Sequence, residues 1–459
     1  MYQINFQNPI HIYFIGIGGI SMSGLAEILL TEGFQISGSD RAPSDLTRIL
    51  TQRGACVYYG QREENLTKDI DLIVYTAAIK PDNPELIAAK KMQIPTLTRA
   101  QLLGQMMKNY KTPVAISGTH GKTTTTSMIS QILLEAGVDP TLSIGGVYKP
   151  IGGNIRVGSS EYFVTEACEY TNSFLSFLPK IGIILNIEED HLDFFKDIQD
   201  IRDSFHRFAL LLPEDGTLII NSDINQVEEI TAGLSCRVIT YGSSPSSDYS
   251  ASQITYDAFG FPSFHLMHKD GKEEVFSLKV HGKHNVTNAL ASIALADVLD
   301  IPGDIVAKGL LSFGGTDRRF EYKGQLHGIN IIDDYAHHPT EIRATLNAAK
   351  DYPHKKLWCV FQPHTYTRTK AFLDEFAKAL SLADEIILAD IYAAREKDSL
   401  GISSQTLQHK IEELGHSCYY FPSFEAIEDF LLKNCTKDDL LITMGAGNVV
   451  NIAENLLQR

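Results

Sequence analysis

The stretch AISGTHGKTTTTSMI, residues 115 to 129, ends an apolar run, turns on two glycines and opens a threonine-rich helix. A glycine turn between strand and helix brings backbone N–H groups and the positive end of the helix dipole to one point, which is how phosphate is held. The same grammar occurs earlier, in IYFIGIGGISMSGLAEILL, residues 12 to 30. Two strand–turn–helix loops of this kind commit the chain to layered α/β architecture, with ligands expected beyond the carboxyl ends of parallel strands.

Apolar runs alternate with helical patterns almost throughout, and the 459 residues fit about three domains. The first unit, 1–108, opens with a strand near His11–Ile15, a glycine turn and a helix from about Met22 to Glu32. Strands follow at ISGSD and DLIVYTAAI. The second, 109–322, carries the threonine-rich loop and strands at EYFVTEA, IGIILNI and GTLIIN. Between Asp248 and His281 short alternating segments predict an antiparallel insertion on a mostly parallel sheet, before helices at NVTNALASIALADVL and PGDIVAKGLLSF. The third, 323–459, has strands at GINIIDD, KLWCVFQ, EIILADIY and DLLITM, each followed by a loop and helix, a doubly wound pattern.

The 44% hydrophobic content suffices for a sizeable core in each unit. A net charge of −16, from 56 acidic and 40 basic side chains, argues against a general nucleic-acid binder or an acidic-membrane binder. The six scattered cysteines form no CxxC pair, so neither a disulfide scaffold nor a thiolate metal site is expected. No basic-then-apolar leader and no membrane-length apolar run stands out, and the expectation is a soluble, cytoplasmic protein without membrane insertion.

In the first loop Gly16, Gly18 and Gly19 let the backbone approach a pyrophosphate, and Asp40 ends the next strand, where a ribose hydroxyl is usually held. A GxGxxG motif begun at Gly16 wants its third glycine at Ser21, so a nucleotide-diphosphate ligand is favoured without NAD being demanded. In the second loop, GTHGKT, Lys122 is placed to neutralise β- and γ-phosphate oxygens and Thr123 to offer a hydroxyl to Mg²⁺. The familiar P-loop has its first glycine where Ile116 stands, so this is an ATP site of a particular subtype. Mg²⁺ takes hard oxygen ligands. Glu166, closing YFVTE, is in place to reach it, with Glu169 as rival. His191, in NIEEDHLD, is placed to ligate a second metal or to bond a phosphate.

The third cluster, IIDDYAHHPTEI, packs Asp333, Asp334, Tyr335, His337 and His338 at a strand end and helix start. FQPHTYTRT adds His364 and Arg368 at the next strand end, and DIYAAREK adds Arg395 and Lys397. His, Arg and Lys from adjacent loops suggest an anion pocket for a carboxylate.

GTHGKTTTT, NIEEDHLD, HNVTNALA, GTDRRFE and DDYAHHPTEI, in this order, resemble the Mur ligases of peptidoglycan synthesis over residues 10 to 450. The fold implied is α/β in three domains: an N-terminal Rossmann-like domain, a central P-loop-type ATPase domain, and a C-terminal Rossmann-like domain. The activity implied is joining L-alanine to the lactyl carboxylate of UDP-N-acetylmuramate, with ATP as co-substrate and Mg²⁺ as cofactor. Phosphate would pass to that carboxylate, answering why one chain carries two phosphate loops. By the resemblance, Gly118, Thr119, His120, Gly121, Lys122, Thr123 and Thr124 wrap the ATP phosphates; Asn288 meets adenine; Arg319 and Asp334 meet the nucleotide. Thr123, Glu166 and His191 serve the metal. Gly16, Gly18, Gly19, Ser21 and Asp40 hold UDP, and Tyr335, His337, His364 and Arg368 surround L-alanine. Lys122, Glu166, His191 and His337 are the expected catalytic set. Thr365 stands where some relatives have Arg, leaving the amino-acid pocket one charge fewer.

Overall fold

The computed structural model describes every residue except Met1, Ala77, Ala78, Arg395, Asp398 and Ser399. The chain forms two compact units, residues 1–188 with 198–240, and residues 189–197 with 241–459.

The first unit begins with a parallel sheet. Its spatial order is Cys56–Tyr59, Gln35–Asp40, His11–Ile15, Leu72–Tyr75, Thr96–Thr98. Order reverses around His11–Ile15, which puts the glycine turn that follows it at the switch point where such sheets take ligands. The helix after that turn spans Ile20–Thr31, two residues earlier than its apolar pattern predicted, because extended Gly19 already caps it. The expected strands at ISGSD and DLIVY form; the short strands at 56–59 and 96–98 were not foreseen.

The same unit then builds a second sheet. Its strands run Arg237–Gly242, Thr217–Asn221, Ile181–Ile184, Thr112–Ser117, Tyr162–Ala167, Thr141–Tyr148, Gly153–Arg156. The last two form an antiparallel hairpin that the sequence pattern missed. The core strand Thr112–Ser117 is buried along nearly its whole length, as a strand covered on both faces must be.

In the second unit the antiparallel insertion forms as expected, with Pro262–His268 paired to Tyr249–Tyr256 on one side and Glu273–Ser277 on the other. Helices Lys283–Val298 and Gly303–Ser312 follow. The remaining sheet runs Glu321–Leu326, Ile329–Asp334, Leu440–Met444, Leu357–Phe361, Glu385–Leu388, Cys418–Tyr420. All neighbours are parallel except the edge strand Glu321–Leu326. The run LWCVF shows why such strands read as unbroken apolar segments: Leu357, Cys359 and Phe361 pack with Leu346 and Phe376, while Trp358 and Val360 pack with Ile427 and Ile452. Each face of the sheet carries its own core.

All six cysteines are unpaired, with Cys236, Cys359 and Cys418 buried and Cys56 exposed. Among the described residues no helix is long and apolar enough to cross a membrane.

Candidate active site

The lysine loop is built by two glycines that no other residue replaces comfortably. Gly118 has φ +143° and Gly121 φ +83°, and a Cβ at 118 would stand 2.9 Å from Leu185 Cβ. Between them the backbone is pinned by Asn186. Its carbonyl accepts from Thr119 N at 3.1 Å, its Oδ1 accepts from His120 N at 2.7 Å, and its Nδ2 donates to the His120 carbonyl at 3.0 Å. Asn186 opens the NIEEDHLD segment, but its role escaped the sequence reading, since its partners lie far along the chain.

Gly121 caps the helix Lys122–Glu135. Lys122 Nζ curls back over the loop, donating to the Gly118 and Thr119 carbonyls and to Glu169 Oε2 at 3.0 Å. Burial works against this ammonium, but Glu169, with Cys168 and Glu166 nearby, holds its pKa above the ordinary lysine value. Thr123 donates to Glu166 Oε2 at 3.1 Å, and Glu166 Oε1 accepts from Gly145 N at 2.5 Å. The two rival acids thus differ in partner: Glu166 faces the threonine hydroxyl, Glu169 the lysine. Thr124 is half-buried in the first turn.

The first glycine loop folds back on the strand Gln35–Asp40. The Ser39 carbonyl accepts from Gly16 N at 2.8 Å and Ile17 N at 2.9 Å. Gly19 N donates to the Gly16 carbonyl at 3.2 Å, tightening the turn. Asp40 Oδ2 accepts from Gly18 N at 2.8 Å and its Oδ1 from Arg41 N at 2.7 Å, so this carboxylate braces the turn. Ser21, in the first helical turn, accepts from Arg99 Nη1 at 2.9 Å. Arg99 was not foreseen.

In the second unit, Asp190 joins residues from three loops. Arg368 donates to its Oδ1 from Nη2 at 2.8 Å and Nε at 3.2 Å, and Arg368 Nη1 meets His364 Nδ1 at 3.2 Å. Burial disfavours the Asp190 anion, yet Arg368, with His191 and His338, holds it well below the usual carboxylate range. His191 has φ +53° and its N–H donates to Asp190. His337 Nδ1 meets the Tyr335 carbonyl at 2.9 Å, and its ring lies 5.7 Å from that of His364. Burial pushes both imidazoles down to about 4, the neighbouring Arg368 adding to it, so both are neutral at pH 7. Thr365, between these groups, holds φ +65° and ψ +146°. Arg395 lies outside the described residues, and Lys397 is not tied to this cluster by any described contact.

The two arginines of GTDRRFE divide their work. Arg318 bonds Asp333 at 2.9 Å and the Gly445 and Gly447 carbonyls at 2.7 and 3.1 Å. The Arg319 guanidinium makes no hydrogen bond among the described residues and lies 5.2 Å from the Tyr335 ring. Asp334 accepts from Phe320 N and Ala336 N, both at 2.7 Å, which fixes the backbone on either side of Arg319 and Tyr335. Its burial raises its pKa to about 6, with Arg319 opposing. Asn288 is buried on its helix, donating to Asn285 at 3.0 Å.

The loops that follow parallel strands therefore gather the expected groups within each unit, and comparison with known proteins matches the same segments. The Mur ligase family's catalytic, middle and glutamate-ligase domain descriptions match residues 11–111, 116–296 and 318–447. The chain belongs to the Mur ligase family. The UDP-N-acetylmuramate–L-alanine ligase of Agathobacter rectalis is 59% identical to it over 459 residues, all of both chains. The solved UDP-N-acetylmuramate–alanine ligase of Thermotoga maritima is 28% identical with a TM-score of 0.82, over 98% of this chain and 99% of that one. The murein peptide ligase of Psychrobacter arcticus is 26% identical with a TM-score of 0.71, over 98% of each chain. This Mur ligase has the three-domain α/β fold of its family, with mostly parallel sheets and some antiparallel strands.

Proposed function

We propose that this Mur ligase joins L-alanine to the lactyl carboxylate of UDP-N-acetylmuramate in peptidoglycan precursor synthesis, releasing ADP and phosphate. The observation that carries the reading is the 59% identity, over the whole length of both chains, to a ligase of that name. The three domains divide at 108/109 and 322/323, and the enzyme works in the cytoplasm, where ATP and nucleotide sugars are made available to it.

The N-terminus of helix Ile20–Thr31 holds the UDP diphosphate, which the Gly16, Gly18 and Gly19 turn lets approach closely, with Ser21 and Asp40 beside it. The loop Gly118–Thr124 holds the ATP phosphates in the same way, with Asn288 at the adenine, Arg319 at the phosphates and Asp334 keeping Arg319 in place. Lys122, now turned onto carbonyls and Glu169, moves onto the β- and γ-oxygens. A lactyl carboxylate oxygen bonds to the γ-phosphorus, the bond to the β-bridging oxygen breaks, and ADP leaves. The L-alanine nitrogen then bonds to the acyl carbon, the bond to the phosphate oxygen breaks, and the amine gives up a proton. Neutral His337, whose Nδ1–H is given to the Tyr335 carbonyl, accepts a hydrogen bond from that amine through Nε2. His364, accepting from Arg368 at Nδ1, lines the pocket, Tyr335 closes it, and Arg368 takes the amino-acid carboxylate in competition with Asp190.

The donor set beside the loop fits Mg²⁺. Thr123 and Glu166 present hard oxygens 3.1 Å apart, and a Cβ at Gly145 would stand 2.6 Å from Glu166 Oε2, so glycine leaves the carboxylate its room. Thr123, Glu166 and His191 would hold it. When bound, the metal supplies positive charge against the repulsion between the two reacting anions.

The test is phosphate release from ATP and Mg²⁺ with UDP-N-acetylmuramate, comparing L-alanine, glycine, L-serine and the tripeptide L-Ala-γ-D-Glu-meso-diaminopimelate as acceptors. Release that needs the sugar nucleotide and is fastest with L-alanine supports the reading. Release only with the tripeptide moves the protein to a peptide-recycling ligase.

A further inference from the structure

The reacting carboxylate of the substrate needs a partner that the residues assigned above do not include. Arg99 offers one. It follows Thr98, which ends the last strand of the first sheet and caps helix Arg99–Met107. The register places Ile15 beside Tyr75 and Tyr75 beside Thr98, so Arg99 leaves the sheet on the same level as Gly16. Its guanidinium donates to Ser21 Oγ at 2.9 Å, at the mouth of the glycine-loop helix. That is its single hydrogen bond among the described residues, leaving the rest of the donor fork unengaged.

The same arginine lies within the electrostatic reach of Glu166, at the strand end beside the lysine loop. Its helix packs against the segment after Glu169, with Gly104 against the Ser176 carbonyl. The glycine-loop helix meets the hairpin beside Glu166, with Gly24 against Ile155 and Asn154 Nδ2 donating to the Ile20 carbonyl at 3.2 Å. Burial weakens the Arg99 cation, while the charges of Cys168 and Glu166 favour it. A half-buried cation therefore stands beside the glycine loop and within the electrostatic reach of Glu166, with only a neutral hydroxyl as its hydrogen-bond partner. An arginine fork in that setting matches the two oxygens of a carboxylate.

We propose that Arg99 binds the carboxylate of the sugar-nucleotide substrate and stays on it as that group becomes the acyl phosphate. This rests on the sugar-nucleotide reading given above. The diphosphate already has the helix N-terminus, so the arginine's ligand is the other anionic end of the same molecule.

Isothermal titration without ATP separates the cases. UDP-N-acetylmuramate is compared with UDP-N-acetylglucosamine, which has the same UDP and sugar but no lactyl carboxylate. Arg99→Ala is expected to weaken UDP-N-acetylmuramate binding at least tenfold, to leave UDP-N-acetylglucosamine within twofold, and to raise KM for UDP-N-acetylmuramate without raising that for ATP. Arg99→Lys should recover part of the loss. Equal loss for both sugar nucleotides in both variants overturns the proposal, as a diphosphate or purely structural role would produce it. No loss for either overturns it too. Failure of the unaltered enzyme to bind UDP-N-acetylmuramate at all would instead sink the substrate reading, and this assignment with it.

Discussion

Lys122 and Glu169 form a buried pair, with side chains 16% and 3% exposed and 3.0 Å between Nζ and Oε2. At an effective dielectric near 20 their gross attraction is about 5 kcal/mol, most of it offset by the cost of dehydrating both charges. Removing one partner alone leaves the other stranded. Lys122→Met should therefore destabilise the first unit by about 3–5 kcal/mol, since Glu169 then lies buried without its cation. Glu169→Gln should cost less, about 1–3 kcal/mol, because Lys122 keeps its bonds to the Gly118 and Thr119 carbonyls. The double variant should regain at least about 2 kcal/mol over Lys122→Met, the mark of a coupled pair. Catalysis should not follow stability: both variants lacking Lys122 should lose phosphate release by about 10²–10³-fold, as expected when a charge-stabilising donor is removed. The molecule supplies its own control. Its single tryptophan, Trp358, lies in the second unit, so fluorescence reads that unit. Hydrogen exchange of strand Thr112–Ser117 and helix Lys122–Glu135 reads the first. The reasoning is refuted if the double variant is as unstable as Lys122→Met, or if activity returns with stability.

Two further predictions concern the second unit, both read by Trp358 fluorescence in urea. His284, His337 and His364 are each pushed down to about 4 by burial, so each contributes stability that is present above the unfolded histidine value, about 6.5, and lost as pH falls toward 4. Asp334, raised to about 6, acts in the opposite sense: its carboxyl stabilises the fold below about 4 and that contribution fades as pH rises through 6. His281, lowered by burial, adds to the histidines, and Asp333, raised by burial, adds to Asp334. The histidines outnumber the carboxyls, so the urea midpoint should fall between pH 6.5 and 4.5, and Asp334→Asn should steepen that fall; a flat profile contradicts the assignment of neutral imidazoles. Thr365→Gly should raise stability by about 1 kcal/mol, because a β-branched residue at φ +65° stores about 1–3 kcal/mol that glycine's extra unfolded-state freedom only partly offsets. Unchanged or lower stability would show that this backbone geometry carries no strain.

The two glycine loops were legible because their signals are local: a run of apolar residues, glycines at fixed spacing, then a helix start. The three α/β units and the antiparallel insertion were read from the same kind of evidence. The strands that went unseen are short or at edges, such as Cys56–Tyr59, Thr96–Thr98, Cys418–Tyr420 and the polar Glu321–Leu326. Three or four residues are too few for a period to declare itself, and an edge strand needs little apolar surface. In the site, the identity of Lys122, Thr123 and Glu166 was readable but their partners were not. Whether Glu166 or Glu169 faces the lysine depends on how the strand end twists, which spacing does not fix. Asn186 and Arg99 act on residues 66 and 78 positions away, so local spacing does not announce their roles, even though Asn186 opens NIEEDHLD. The Asp40 carboxylate bracing the Gly18 amide is a choice of rotamer, equally invisible in sequence.

The central claim is that the second loop's phosphate goes to the carboxylate of the molecule held by the first. UDP-N-acetylmuramate carrying ¹⁸O in both lactyl carboxylate oxygens, incubated with ATP, Mg²⁺ and L-alanine, tests it directly. The account predicts one labelled oxygen in each phosphate released and one retained in the amide product. Phosphate released without label, alongside an amide product, would contradict it.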